Sequence, residues 1–156
     1  MTGVQTCALP IYFNDLQLAK QYLSGGWNTL YPLANYTESI ADKNNYEQAP
    51  NKKDTAVFPY DYKKQLEKKN FEIIKATPFG NTITKDLALA CLKAEQLGKG
   101  KQTDMLCVSF SSTDYVGHSY GPRSVEIEDV YLRLDKDLEE LLNYLNTSSI
   151  STLRGP

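Results

Sequence analysis

With 156 residues, 41% hydrophobic and 23% charged, the chain is long enough for one globular domain with a real core. A net charge of −2, with basic residues gathered only in pairs such as Lys52-Lys53 and Lys68-Lys69, excludes an electrostatic footprint for nucleic acid. No apolar run approaches the roughly 20 residues needed to span a bilayer, so no membrane partner is expected either.

Residues 1–11 have neither helical nor strand period and lack the basic start and apolar centre of a signal peptide. They resemble a translated sequencing adapter and are set aside as a non-native extension, with 12–146 expected to be a partial domain and the polar residues 147–156 a truncated or non-native tail. From Asn14, a candidate N-cap, the spacing predicts a helix over 15–24, with Leu16, Ala19, Tyr22 and Leu23 on one face and Gly25-Gly26 as its stop. Residues 27–59 show no sustained period and are broken by Pro32, Pro50 and Pro59. A loop of that length usually covers a site or forms a lid or insertion, and its tyrosines suggest part of a substrate wall.

Residues 60–69 predict a brief charged helix, and 71–76 a strand ending at the turn Thr77-Pro78-Phe79-Gly80. Ile83, Leu87, Ala90, Cys91, Ala94 and Leu97 recur at three and four and predict a helix closed by Gly98. Gly98-Lys99-Gly100-Lys101 follows a helix instead of joining a strand to one, so it reads as a loop rather than a phosphate cradle. Met105-Leu106-Cys107-Val108-Ser109-Phe110 has the continuous apolar pattern of a parallel strand covered on both faces. A polar loop over 111–123 follows. Ser124 then caps a helix whose Ile127, Val130, Leu134, Leu138, Leu141 and Leu145 form one stripe. Glu126, Glu128 and Asp129 read as a helix-start cluster on a solvated face, Arg123 as solvated, and Cys91 and Cys107 as small buried hydrophobes. Helix, strand, helix, strand, helix predicts an α/β layered fold with a mainly parallel sheet. Chemistry in such sheets lies beyond the carboxyl ends of the strands, where 111–123 falls.

That stretch holds Asp114 and the chain's single histidine, His118. Carboxylate oxygen and imidazole nitrogen together suit zinc, and Gly117 would let the backbone fold so that both reach one ion. As a bare pattern Asp-x-x-x-His is weak, and a lone histidine is usually structural or solvated. Two ligands are also not four, and neither a second histidine nor a cysteine cluster supplies the rest.

The residues around the pair carry a resemblance. Ser109-Phe110-Ser111-Ser112-Thr113-Asp114-Tyr115-Val116-Gly117-His118, then Gly121-Pro122 and Ser124-Val125-Glu126-Ile127-Glu128-Asp129, resemble the monofunctional bacterial alkaline phosphatases of the alkaline phosphatase superfamily. Nucleotide pyrophosphatase/phosphodiesterases share the looser Asp-x-x-Gly-His-x-x-Gly-Pro pattern. Trp27-Asn28-Thr29-Leu30-Tyr31-Pro32 and Thr77-Pro78-Phe79-Gly80-Asn81-Thr82 extend the match. The resemblance implies an incomplete alkaline-phosphatase-like domain of a zinc phosphomonoesterase, in which Asp114 and His118 bind one of two zinc ions. It implies a threonine or serine nucleophile activated by the other metal, small phosphate-ester substrates, and a periplasmic or secreted location. The family's nucleophile, its phosphate-gripping lysine and arginine, and its remaining zinc ligands match no position here. No catalytic or cofactor-binding residue beyond the metal pair is therefore assigned, and the isolated chain is expected to be inactive. The alternatives are a fragment of a nucleotide pyrophosphatase/phosphodiesterase, or a catalytically dead fragment acting as a binding module.

Overall fold

The computed structural model describes residues 8–45, 47–48 and 55–153. Its helices are α1 (Ala8–Asp15), α2 (Leu18–Ser24), α3 (Lys63–Glu67), α4 (Pro78–Ala94), α5 (Ser112–Tyr120) and α6 (Val125–Leu153), with 3-10 turns at Leu33–Asn35 and Phe71–Ala76. The long helix α6 packs against both α4 and α5, and α2, α3 and the second 3-10 turn close around them.

The helix expected over 15–24 is two helices. Gln17 takes a left-handed backbone, with φ of 50°, which breaks the ladder and re-aims α2. Gly25 then caps α2, and Gly26, at φ of 68°, turns the chain so that Trp27 pairs with Tyr60. A Cβ on Gly26 would stand 2.6 Å from the Tyr60 carbonyl oxygen, so only glycine fits there. Residues 8–11, assigned by sequence to an extension, belong to α1; residues 1–7 lie outside the described residues. At the other end α6 runs to Leu153, well into the span expected to be a tail.

The sheet expected from sequence is not found among the described residues, whose one β-type pairing is the isolated antiparallel bridge Trp27–Tyr60. Phe71–Ala76 is a 3-10 helix rather than a strand. Asn70 caps it by accepting from the Glu72 amide, and the Thr77 hydroxyl donates back to the Ile74 carbonyl at 2.7 Å. Ile73 and Ile74, neighbours in sequence, both pack on the core, which a strand with its alternating faces forbids. The run 105–110 has no regular secondary structure and no strand partner among the described residues: Met105 is 85% exposed, and Cys107, expected to be buried, is exposed as well.

For α4 the sequence located the helix and mistook its face. The buried residues are Pro78, Asn81, Lys85, Ala88, Leu89 and Leu92, while Leu87, on the expected stripe, is exposed. Two polar residues lie inward because each finds a partner there. The Lys85 ammonium meets Glu140 at 2.6 Å and Asp86 at 2.8 Å, with Asp137 at 3.8 Å. Burying a lone charge costs several kcal/mol, so this face is tolerable only as a paired one.

Residues 27–59, expected to be a loop over a site, instead supply part of the core. Trp27, Tyr36 and Ala56 are buried, and Trp27, Phe58, Tyr60 and Tyr120 form a cluster of edge and tilted ring contacts at 5.0–6.0 Å. The same stretch grips the end of α5: the Ile40 amide donates to the Arg123 carbonyl at 2.8 Å and the Gln48 amide to the Ser119 carbonyl at 2.9 Å.

Candidate metal-binding site

Asp114 and His118 sit on a helix, not on the polar loop expected over 111–123. Ser112, Val116 and Tyr120 recur every four residues and are buried, so α5 lays one narrow stripe on α6 and the aromatic cluster. Val116 and Ile127 meet in that core. The opposite face carries Asp114 and His118, one turn apart, with Nε2 of His118 3.4 Å from Oδ1 of Asp114 and the two side chains 79% and 73% exposed. Two ligand atoms held about 2.0–2.1 Å from one tetrahedral ion stand about 3.3 Å apart, so the pair already has the spacing of two zinc ligands. The separation also suits an (i, i+4) ion pair on a helix surface, worth only about 0.3–0.5 kcal/mol.

Around the pair, Thr113, Gly117, Pro122, Ile127 and Tyr131 complete a shallow depression of about 480 Å³. No third histidine, cysteine or carboxylate joins Asp114 and His118 among the described residues, so the chain brings together the two residues assigned from sequence and no others. Gly117 has a different role from the one expected. It lies in the middle of α5, and a Cβ there would meet Ile127 at 3.7 Å, an ordinary contact; helical spacing, not glycine flexibility, aligns the two side chains. The residue that needs freedom is Gly121, whose φ of 92° ends α5 and turns the chain into α6.

Three residues that sequence reasoning misjudged or passed over hold α5 and α6 in place. Asp129, expected on a solvated face, has no exposure. Its carboxylate accepts from the Trp27 indole at 2.7 Å, the Leu30 amide at 2.6 Å, the Tyr36 hydroxyl, and Arg133 Nε at 2.7 Å. Four donors on one carboxylate offset its desolvation. Glu126 is equally buried but has one donor, the Tyr60 hydroxyl on Oε1, and Oε2 has no partner. Burial pushes its carboxyl up to about 7, with Glu47 and Asp42 adding to the rise and the Tyr60 hydrogen bond opposing it. The third is Asn81 of α4, whose side-chain oxygen accepts from the Ser112 amide at 3.1 Å. A sequence signal for α5 did exist: Ser111 and Asp114 have capping-box spacing, and the 112/116/120 period follows.

Comparison with known proteins fits this arrangement. Residues 17–152 match the family described as type I phosphodiesterase / nucleotide pyrophosphatase. Alkaline phosphatase PhoV of Synechococcus elongatus is 48% identical over 141 residues, covering 88% of this chain and 26% of that protein. Alkaline phosphatase PafA of Elizabethkingia meningoseptica is 46% identical over 135 residues, covering 86% of this chain and 24% of that one. The crystal structure of wild-type PafA superposes with a TM-score of 0.85 at 41% identity, over 90% of this chain and 27% of the other. The chain thus spans about a quarter of the length of these relatives, and over that quarter its fold is that of PafA. It belongs to the type I phosphodiesterase / nucleotide pyrophosphatase family, on the side of the alkaline phosphatases.

Proposed function

We propose that the chain is part of a zinc-dependent phosphomonoesterase and that Asp114 and His118 are half of one of its metal sites. The observation that carries this reading is the pair itself: two residues of suitable chemistry, 3.4 Å apart on the free face of a helix whose other face is anchored in the core. The fit of the residues to zinc rests on their donor atoms, hard oxygen and borderline nitrogen, and on that spacing. When bound at such a pair, zinc supplies a Lewis acid for the leaving oxygen of a phosphate ester. What the chain's own residues contribute is position. Asp114 presents its carboxylate oxygen and His118 its Nε2 toward the same depression, and the buried stripe of α5 keeps both from drifting.

The nucleophile, a threonine or serine on a second metal, and the remaining ligands belong in this reading to parts of the protein beyond this chain. So do the strands beside 105–110: an apolar run left exposed and unpaired is what one strand of a parallel sheet would leave without its neighbours. Small phosphate esters are the substrate class, with neither nucleic acid nor membrane as partner, and the compartment is periplasmic or secreted. No described helix is long and apolar enough to cross a membrane.

The family description favours a second reading, a nucleotide pyrophosphatase/phosphodiesterase. Initial rates of the full-length protein on an aryl phosphate monoester and on the corresponding diester separate the two. Faster monoester hydrolysis, lost by at least about a hundredfold in Asp114→Ala and His118→Ala, is the expected outcome. Preference for the diester would transfer the site to the second reading, and full activity of both variants would remove the metal role altogether.

A further inference from the structure

The motif Thr77-Pro78-Phe79-Gly80-Asn81-Thr82 stands apart from the ligand pair in sequence, and the proposed chemistry gives it no task. In the fold every polar or special residue of it does something. Thr77 closes the 3-10 turn through its hydroxyl, Pro78 occupies the first turn of α4, where a missing amide hydrogen is harmless, and Thr82 donates to Asp137 of α6 at 2.9 Å. Gly80 and Asn81 face α5 instead. A Cβ on Gly80 would lie 2.1 Å from the Ser112 hydroxyl oxygen and 2.9 Å from the Ile74 carbonyl oxygen, so the start of α5 is pressed directly onto the backbone of α4. Asn81, 1% exposed, reaches across this contact with its side-chain oxygen to the Ser112 amide.

That bond matters because α5 lacks a cap of its own. Ser111 stands at the N-cap with no side-chain hydrogen bond to the helix, so one of the four unpaired amides of the first turn is satisfied from another element. The amide nitrogen of Asn81 finds no partner, although it is buried. A group kept inside at that cost is kept for its other half, the carbonyl oxygen.

We propose that Asn81 is a positioning residue for the ligand pair: its side-chain oxygen, seated by Gly80 against Ser112, fixes where α5 begins and hence which way Asp114 and His118 face. The inference rests on the metal-site reading above. Its leverage is geometric. Side-chain tips lie about 5–6 Å from a helix axis, so a rotation of α5 by about 20° moves them about 2 Å. Metal–ligand distances tolerate only about 0.2 Å. Asp114 is two residues beyond Ser112, in the same first turn, and His118 one turn further on, so a reset start is passed to both.

The test uses the full-length protein. Zinc affinity is read by chelator competition, the geometry of the site by the visible absorption of the cobalt(II)-substituted protein, and stability by thermal melting. Asn81→Ala is expected to weaken zinc binding by at least about tenfold and to change the cobalt spectrum. Asn81→Asp keeps an acceptor in the same place, at a helix start that favours negative charge, and is expected to restore affinity to within about threefold and the spectrum to that of the parent. Thr82→Val is the matched control: it loses the tie from α4 to α6 and should lower the melting temperature without touching zinc affinity. If Asn81→Ala melts earlier but keeps parental affinity and spectrum, Asn81 only stabilises the fold and the inference is overturned. If Asn81→Ala does not fold, Asn81→Asp decides alone, since a weakened site with an altered spectrum in that folded variant overturns it too. Asp114→Ala separates the layers. Loss of one zinc in that variant together with parental binding in Asn81→Ala removes the inference and leaves the metal reading standing, whereas unchanged zinc content in Asp114→Ala removes both.

Discussion

Two acid–base pairs in this molecule have the same spacing and opposite surroundings. Asp114 and His118 on α5, and Asp129 and Arg133 on α6, are each four residues apart with nitrogen and oxygen 3.4 and 2.7 Å from one another. The first pair stands in solvent, with one contact each way. The second has a carboxylate without exposure, tied to Trp27, Leu30 and Tyr36 as well as to its arginine, which also donates to the Asn28 carbonyl at 2.7 Å. Spacing therefore assigns no role. Burial and the number of partners do: a carboxylate with every lone pair engaged holds the fold, and one with lone pairs to spare on a free helix face is available to a ligand.

The contrast predicts its own largest effect. Asp129→Ala leaves the Trp27 indole and the Arg133 guanidinium without their buried acceptor and should cost about 3–5 kcal/mol in denaturant unfolding of the full-length protein. A cost below 1 kcal/mol would erase the distinction between the pairs. Glu126 sharpens the comparison from the other side, being a buried carboxylate with too few donors. Its carboxyl is raised to about 7 in the folded protein against an ordinary value near 4.5, so the folded state binds the proton more tightly than the unfolded one. Stability on this account is greatest below pH about 4.5, falls as pH rises through 7, and is lowest above it. The shift corresponds to about 3 kcal/mol. Glu126→Gln should recover stability of that order at pH 8 and flatten its change between pH 5 and 8, as melting curves across that range would register.

Gly117→Ala comes next. At a helical position with room for a methyl group the substitution should stabilise by about 0.5–1 kcal/mol. A loss of stability would show that α5 needs glycine after all and bring back the flexible-loop picture of the site. The smallest effect belongs to the exposed pair, where Asp114→Ala should alter unfolding free energy by no more than about 0.5 kcal/mol in metal-free protein while removing a zinc from the loaded one. A large change in the metal-free protein would make Asp114 a structural residue like Asp129.

That Asp114 and His118 face each other was legible from sequence because the contact is local: an acid and the only histidine four positions apart, beside a family pattern. The helices α4 and α6 were legible from their apolar spacing. The inward face of α4 was not, because Asn81 and Lys85 are buried by partners on α5 and α6, and no spacing within α4 announces them. The depth of Asp129 and Glu126 failed for the same reason: apart from Arg133, their donors lie 66 to 102 residues away. The run 105–110 has the composition of a strand, but strand pairing is a property of its neighbours, and the described residues offer none.

The bond from Trp27 to Asp129 also sets a clock. It joins residues 102 apart, and the aromatic cluster that includes Trp27 also draws on Tyr120. At synthesis rates of about 5–20 residues per second, Trp27 waits roughly 5–20 s before its partner has been made. During that interval Trp27 can pack only against earlier partners such as Phe58 and Tyr60, its indole hydrogen still lacks its buried acceptor, and closure then spans a long loop. The residue that completes the fold is thus made late, so this segment is most open to aggregation before the start of α6 emerges.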